Sequence, residues 1–278
     1  MGVFKLQTFV LLMILLFWGG SLYAQTYEEF VAKSYDYLEK DDLFAAEMSL
    51  KEALRMEPAN PGNYALLTNL GTIQRRQGKL EEALLSYTTA LNRDPQNTMI
   101  LANRATLYIE MKESDKALND YNLLLLRDST NQDALYNRGM IHVQKKNFLW
   151  AEYDFNKILE LNEATFYGRL GYAVLDKMRG NYDESERIYN YLIEKMPREW
   201  QLYKGRAELY IFMNKNGRAM ADVNRLFLET VPDAELFVLR GRVKLAQHER
   251  SSATKDFLKA KEMGYDAQMI DKLLRISR

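Results

Sequence analysis

The chain has 278 residues, 47% hydrophobic and 27% charged, enough apolar material to bury a substantial core and too much for disorder by composition. Its 38 Lys and Arg balance 38 Asp and Glu, so no charge excess points to nucleic acid or to an anionic membrane surface. Cysteine is absent, which excludes disulfides, thiolate metal sites, cysteine nucleophiles and a thiol-linked lipid anchor.

Residues 1–24 read as a signal peptide rather than as part of the fold. Lys5 supplies the positive start, TFVLLMILLFWGG (residues 8–20) a short apolar core, and SLYAQ a cut after Ala24. An uncleaved N-terminal anchor is the alternative, since about 17 to 20 apolar residues can just span a bilayer. On either reading the remainder is expected to be exported, periplasmic or associated with the cell envelope, or secreted.

From residue 27 onward the sequence repeats. Ser34, Ala46, Leu50 and Ala53 mark a first repeat, and the next follows after a longer step because Pro61, Gly62 and Asn63 lengthen the joint. Thereafter Ala83, Ala117, Ala151, Ser185, Ala219 and Ala253 recur at a constant spacing of thirty-four. Four places after each comes Tyr87, Tyr121, Phe155, Tyr189, Val223 or Phe257, and three further on Ala90, Leu124, Ile158, Leu192, Leu226 or Ala260. An apolar i, i+4, i+7 stripe is helical. Twelve places earlier a second small residue recurs, as Gly71, Ala105, Gly139, Ala207 and Gly241, so each repeat is two helices in close contact. Starts fall near 27, 64, 98, 132, 164, 200 and 234. In the fifth repeat Gly171 precedes Ser185 by fourteen places instead of twelve, which reads as a two-residue register shift. All five prolines lie between repeats, where they are compatible with helix ends. The closing AQMIDKLLRISR sets Ile270, Leu273 and Leu274 on one face and predicts a capping helix over 267–276.

Spacing, small residues, aromatic slots and prolines together resemble the tetratricopeptide repeat (TPR) family over about residues 27–267. The resemblance implies an all-α, right-handed α-solenoid of seven helix-turn-helix repeats plus the capping helix, one domain over 25–278, with the first helices along a concave side.

Two further patterns follow the period. Arg104, Arg138, Arg206 and Arg240 are each followed sixteen places later by Asp120, Asp154, Asp222 and Asp256. Repeats without the arginine carry Lys33, Leu70 and Leu170, with Ser49, Ser86 and Ile188 at the second place. Positions symmetric about the turn of an antiparallel helix pair lie side by side, so an ion pair within each repeat is expected. Asn69, Asn103 and Asn137 form a second series, ending in Arg169, Gly205 and Leu239. Family members that hold extended polypeptides use asparagines in such a slot, and a side-chain amide matches a peptide group of any sequence. Solvation of an exposed helix face is the competing reading. Thr68, Thr72, Arg75, Arg76, Thr106, Tyr136, Met140 and Tyr172 are expected beside the asparagines, making an amphipathic, mildly basic peptide-binding groove. Thr68, Ala102 and Tyr136 stand where a carboxylate-clamping relative has lysine, so that activity is not expected.

Of the 18 tyrosines, Tyr87, Tyr121 and Tyr189 fill core slots and most others are expected to do so. The two histidines, His142 and His248, stand apart, and no phosphate loop, metal motif or nucleophile triad is recognisable. No catalytic residue, cofactor or metal is therefore expected. The sequence points to a non-catalytic scaffold binding a protein or peptide partner. An accessory glycan-binding protein serving uptake at the cell surface, or an assembly factor tethered by its leader, are the alternatives.

Overall fold

Helices form where the apolar stripes run, and they end where the period places turn residues. In a computed structural model describing residues 26–163 and 165–277, these are α1 (Tyr27–Glu39), α2 (Leu43–Met56), α3 (Asn63–Arg76), α4 (Leu80–Arg93), α5 (Thr98–Glu110), α6 (Ser114–Arg127), α7 (Gln132–Gln144) and α8 (Phe148–Leu161). They continue as α9 (Phe166–Arg179), α10 (Tyr182–Lys195), α11 (Trp200–Phe212), α12 (Asn216–Glu229), α13 (Ala234–Ala246), α14 (Arg250–Glu262) and α15 (Ala267–Ser277). The architecture is all-α, seven helix pairs and a capping helix, with no strand among the described residues. The expected leader and its cut lie outside the described residues.

Starts are capped by side chains that accept from orphan backbone amides: Thr26 in a capping box with Glu29, Asp42, Asn97, Asn131 and Asp233. Between the two helices of each repeat one residue takes a positive φ: Asp41, Gly78, Lys112, Lys146, Gly180, Asn214 and His248, from 55° to 88°. Beyond the long first step these recur once per repeat at the same spacing as the small residues, so the period fixes backbone conformation as well as side-chain identity.

The helices group into two compact lobes, one ending at Glu113 and the other spanning Ser114–Arg278. In the N-terminal lobe Ala46, Leu50 and Ala53 pack with Leu66, Leu70 and Ile73, and Tyr87 and Ala90 with Ile100 and Leu107. In the C-terminal lobe Tyr189 and Leu192 pack with Leu202 and Leu209, and Val223 and Leu226 with Leu236 and Leu239. Each second helix thus shares its apolar stripe with the first helix of the next repeat. The last stripe, with Phe257 and Ala260, is closed by Ile270 of α15, which is fully buried.

The fifth repeat keeps register. α9 begins at Phe166, one full period after Gln132 opens α7, and the small contact is Ala173, whose carbonyl accepts from Ser185 Oγ at 2.6 Å. Gly171 does a different job: a Cβ there would strike the Phe155 ring of the preceding repeat. Gly205, one repeat further on, clears Tyr189 in the same way, with a Cβ falling 2.5 Å from its hydroxyl oxygen. The two-residue shift expected from the sequence mistakes this clearance for the small residue of the helix pair, and the asparagine slot of the fifth repeat is Gly171, not Arg169.

Candidate functional site

Three of the arginines that the period pairs with an aspartate are largely buried. Arg138 Nε and Nη2 donate to Asp154 at 3.0 and 2.6 Å, and Arg206 does the same to Asp222 at 2.9 and 2.7 Å. Arg240 grips Asp256 at 2.9 and 2.6 Å. Burial pushes the Asp154 carboxyl above the usual carboxylate range, and the guanidinium offsets only part of that. The sequence reading misses a third partner. Arg138 Nη1 also donates to Asn122 at 2.8 Å and Arg206 Nη1 to Asn190 at 2.7 Å, both in the second helix of the preceding repeat. Tyr172 occupies the arginine slot of the fifth repeat and donates to Asn156 at 2.6 Å. Asn122, Asn156 and Asn190 are spaced by the repeat period, a signal present in the sequence.

In the N-terminal lobe, Asn69 is half-buried and its amide donates to the Tyr35 hydroxyl at 3.2 Å. Thr68 is buried, its hydroxyl bonded to the Tyr64 carbonyl at 2.6 Å. Thr72 meets the Tyr87 hydroxyl at 2.9 Å, and Thr106 donates to the Ala102 carbonyl at 2.9 Å. Arg75 and Arg76 pair at 2.6 Å with Glu110 and Asp41 respectively, so both cations are partly neutralised. Asn103 in this lobe and Asn137 in the other are half-buried.

The C-terminal lobe carries a cavity of about 600 Å³ on its first-helix side. Two slots recur along its wall, once per repeat: Tyr136, Leu170, Lys204 and Val238, then Met140, Val174, Glu208 and Arg242. Of the residues expected in a groove, Tyr136 and Met140 line it, whereas Asn137 and Tyr172 do not. Burial lifts the Tyr136 hydroxyl to a pKa of about 12, and its ring sits 5.1 Å from that of Tyr167. Burial would raise the Glu208 carboxyl, but Lys177 at 2.8 Å and Arg242 at 3.2 Å hold it below the usual range. Lys204 contacts Asp233 and Glu235 at 3.2 and 3.1 Å, and these outweigh burial to raise its pKa.

More aromatic surface is exposed than the sequence reading expects. Tyr35, Tyr153, Tyr167 and Tyr191 are between 41% and 56% exposed rather than in core slots, and Trp150 is 61% exposed with its ring 6.3 Å from Tyr153. Among the described residues no helix is long and apolar enough to cross a membrane.

A tetratricopeptide repeat family model matches residues 31–98. A solved tetratricopeptide repeat protein from Parabacteroides merdae is 60% identical, with a TM-score of 0.84 over 91% of this chain and 99% of its own. The Cut9–Hcn1 hetero-tetramer of the APC/C is similar at 16% identity, with a TM-score of 0.64 over 91% of this chain and 53% of that one. PilW, a type IV pilus biogenesis factor, is similar at 18% identity, with a TM-score of 0.59 over 76% of this chain and 96% of that one. These two likenesses are of fold alone. No curated protein matches the chain.

Proposed function

Since the chain belongs to the tetratricopeptide repeat family, we propose that it is a non-catalytic interaction scaffold of the cell envelope, holding a segment of a polypeptide partner against its first helices. The observation that carries this reading is the cavity of the C-terminal lobe, whose wall is assembled from the same two slots of four consecutive repeats. A wall of that kind offers many small contacts on a rigid surface, suited to a linear segment. Asn69 and Asn103 on the N-terminal lobe, and separately Asn137 on the C-terminal lobe, each offer a side-chain amide that matches a main-chain peptide group. The envelope location rests on the apolar, Lys5-led start of the sequence.

Photo-crosslinkers at Met140 and Val174, introduced in the native cell, are expected to give discrete protein adducts that a crosslinker at the outward-facing Leu228 does not. Identical adduct patterns from all three crosslinker positions would refute the groove.

Glycan binding is a second reading, favoured by the exposed Trp150 and Tyr153 pair on α8, since a sugar face stacks on such rings. A Trp150→Ala variant that loses retention on a polysaccharide column would support it.

A further inference from the structure

The wall of the C-terminal cavity is polarised across its width. Its centre is apolar, with Met140, Leu170, Val174 and Val238. The margin at the starts of the first helices is acidic: Glu199 immediately precedes α11 and Glu235 lies in the first turn of α13, behind its capping Asp233, with Lys204 the nearby cation. The opposite margin is basic, because Lys177 in the last turn of α9 and Arg242 in α13 share one carboxylate, Glu208. These charges suit the dipoles of the helices that carry them, and they also set a pattern that an occupant must match.

The same wall cannot satisfy a bare main chain. In this lobe the asparagine slot runs Asn137, Gly171, Gly205 and Leu239, and both glycines are held by the ring clearance of Phe155 and Tyr189. Lys177, Lys204, Glu208 and Arg242 are already engaged in ion pairs, and the remaining polar lining, Tyr136, Tyr167, Tyr265, Gln201 and Glu199, repeats no residue type in any one slot and forms no ladder. An extended segment laid on the apolar centre of this surface would bury amide and carbonyl groups at a regular spacing that these scattered partners do not match, and each one left unpaired is costly. A helix brings its own hydrogen bonds and offers only side chains.

We infer that the C-terminal cavity receives an amphipathic α-helix of the partner, with its apolar stripe on the central wall. Its acidic flank lies beside Lys177 and Arg242, and its basic flank beside Glu199 and Glu235. This deepens the scaffold reading above and rests on it.

The probe is a phage-displayed library of random segments, each long enough for about five helical turns, selected on the full chain and counter-selected on Val174→Lys and, separately, Met140→Lys. Each variant is first checked for native helicity and melting. A selected segment, made with isotopic labels, is expected to show helical chemical shifts when bound. Exchanging its Glu and Lys flanks is expected to weaken binding about tenfold or more. A binder that both variants abolish but that is extended when bound overturns the helix and leaves the scaffold. A helical binder indifferent to flank exchange overturns the proposed orientation. If no binder responds to either variant, the cavity is not a polypeptide site, and the scaffold reading falls with the inference.

Discussion

Phe155 is fully buried between two glycines, Gly139 of its own repeat and Gly171 of the next, each so close that a Cβ would strike the ring. Gly171→Ala should therefore force the ring or a helix to move, at about 1 to 3 kcal/mol. The midpoint of a urea melt, with an unchanged slope, measures this. Asp154, 1% exposed beneath Arg138, poses the complementary test. Asp154→Ala leaves the guanidinium with Asn122 and should cost about 3 kcal/mol. A double-mutant cycle with Arg138→Ala should show strong coupling, and additivity would mean that the contact is energetically idle. The arginine–aspartate contact was legible because both members come and go together across repeats. The Asn122, Asn156 and Asn190 series was equally periodic, but its partners lie in the following repeat, where a comparison within one helix pair does not look.

The turn between paired helices places one residue in the left-handed region in every repeat, yet only Gly78 and Gly180 are glycine. A side chain there costs about 1 to 2 kcal/mol, and glycine returns part of that gain as unfolded-state entropy. Lys146→Gly is expected to stabilise by about 0.5 kcal/mol or more, and Gly180→Lys to do the reverse, read by paired thermal melts. Helix pairing and number were legible from the i, i+4, i+7 stripes together with the small residues twelve places before them. The fifth pair was misread because Gly171 and Ala173 are both small, and spacing does not tell a clearance from a contact. The exposed positions of Tyr153 and Trp150 follow no repeated slot, so periodicity could not find them.

Neighbour-only packing makes each end of a repeat array a weak point, and Ile270 is what seals the last stripe. Ile270→Ala should cost about 2 to 4 kcal/mol, felt locally. Amide exchange in α14 and α15 is expected to accelerate well before that in α7 and α8, whereas uniform acceleration would show the C-terminal lobe to be one cooperative block. The candidate site was only half legible at this scale. Tyr136 and Met140 were identifiable as first-helix lining, but their slots on later repeats mix apolar and charged residues: Leu170, Lys204 and Val238 in one, Val174, Glu208 and Arg242 in the other. A cavity wall with such turnover announces itself only once the helices are in place.

Arg138 and Arg206 each tie a repeat to the acid sixteen places ahead and to the asparagine sixteen places behind. Length changes in this lobe therefore fall into two kinds. Excising or duplicating one whole period leaves each of these cations facing an acceptor, whereas a single residue inserted between donor and acceptor strands a charge against the wrong helix face. The array can change by entire modules and by little else.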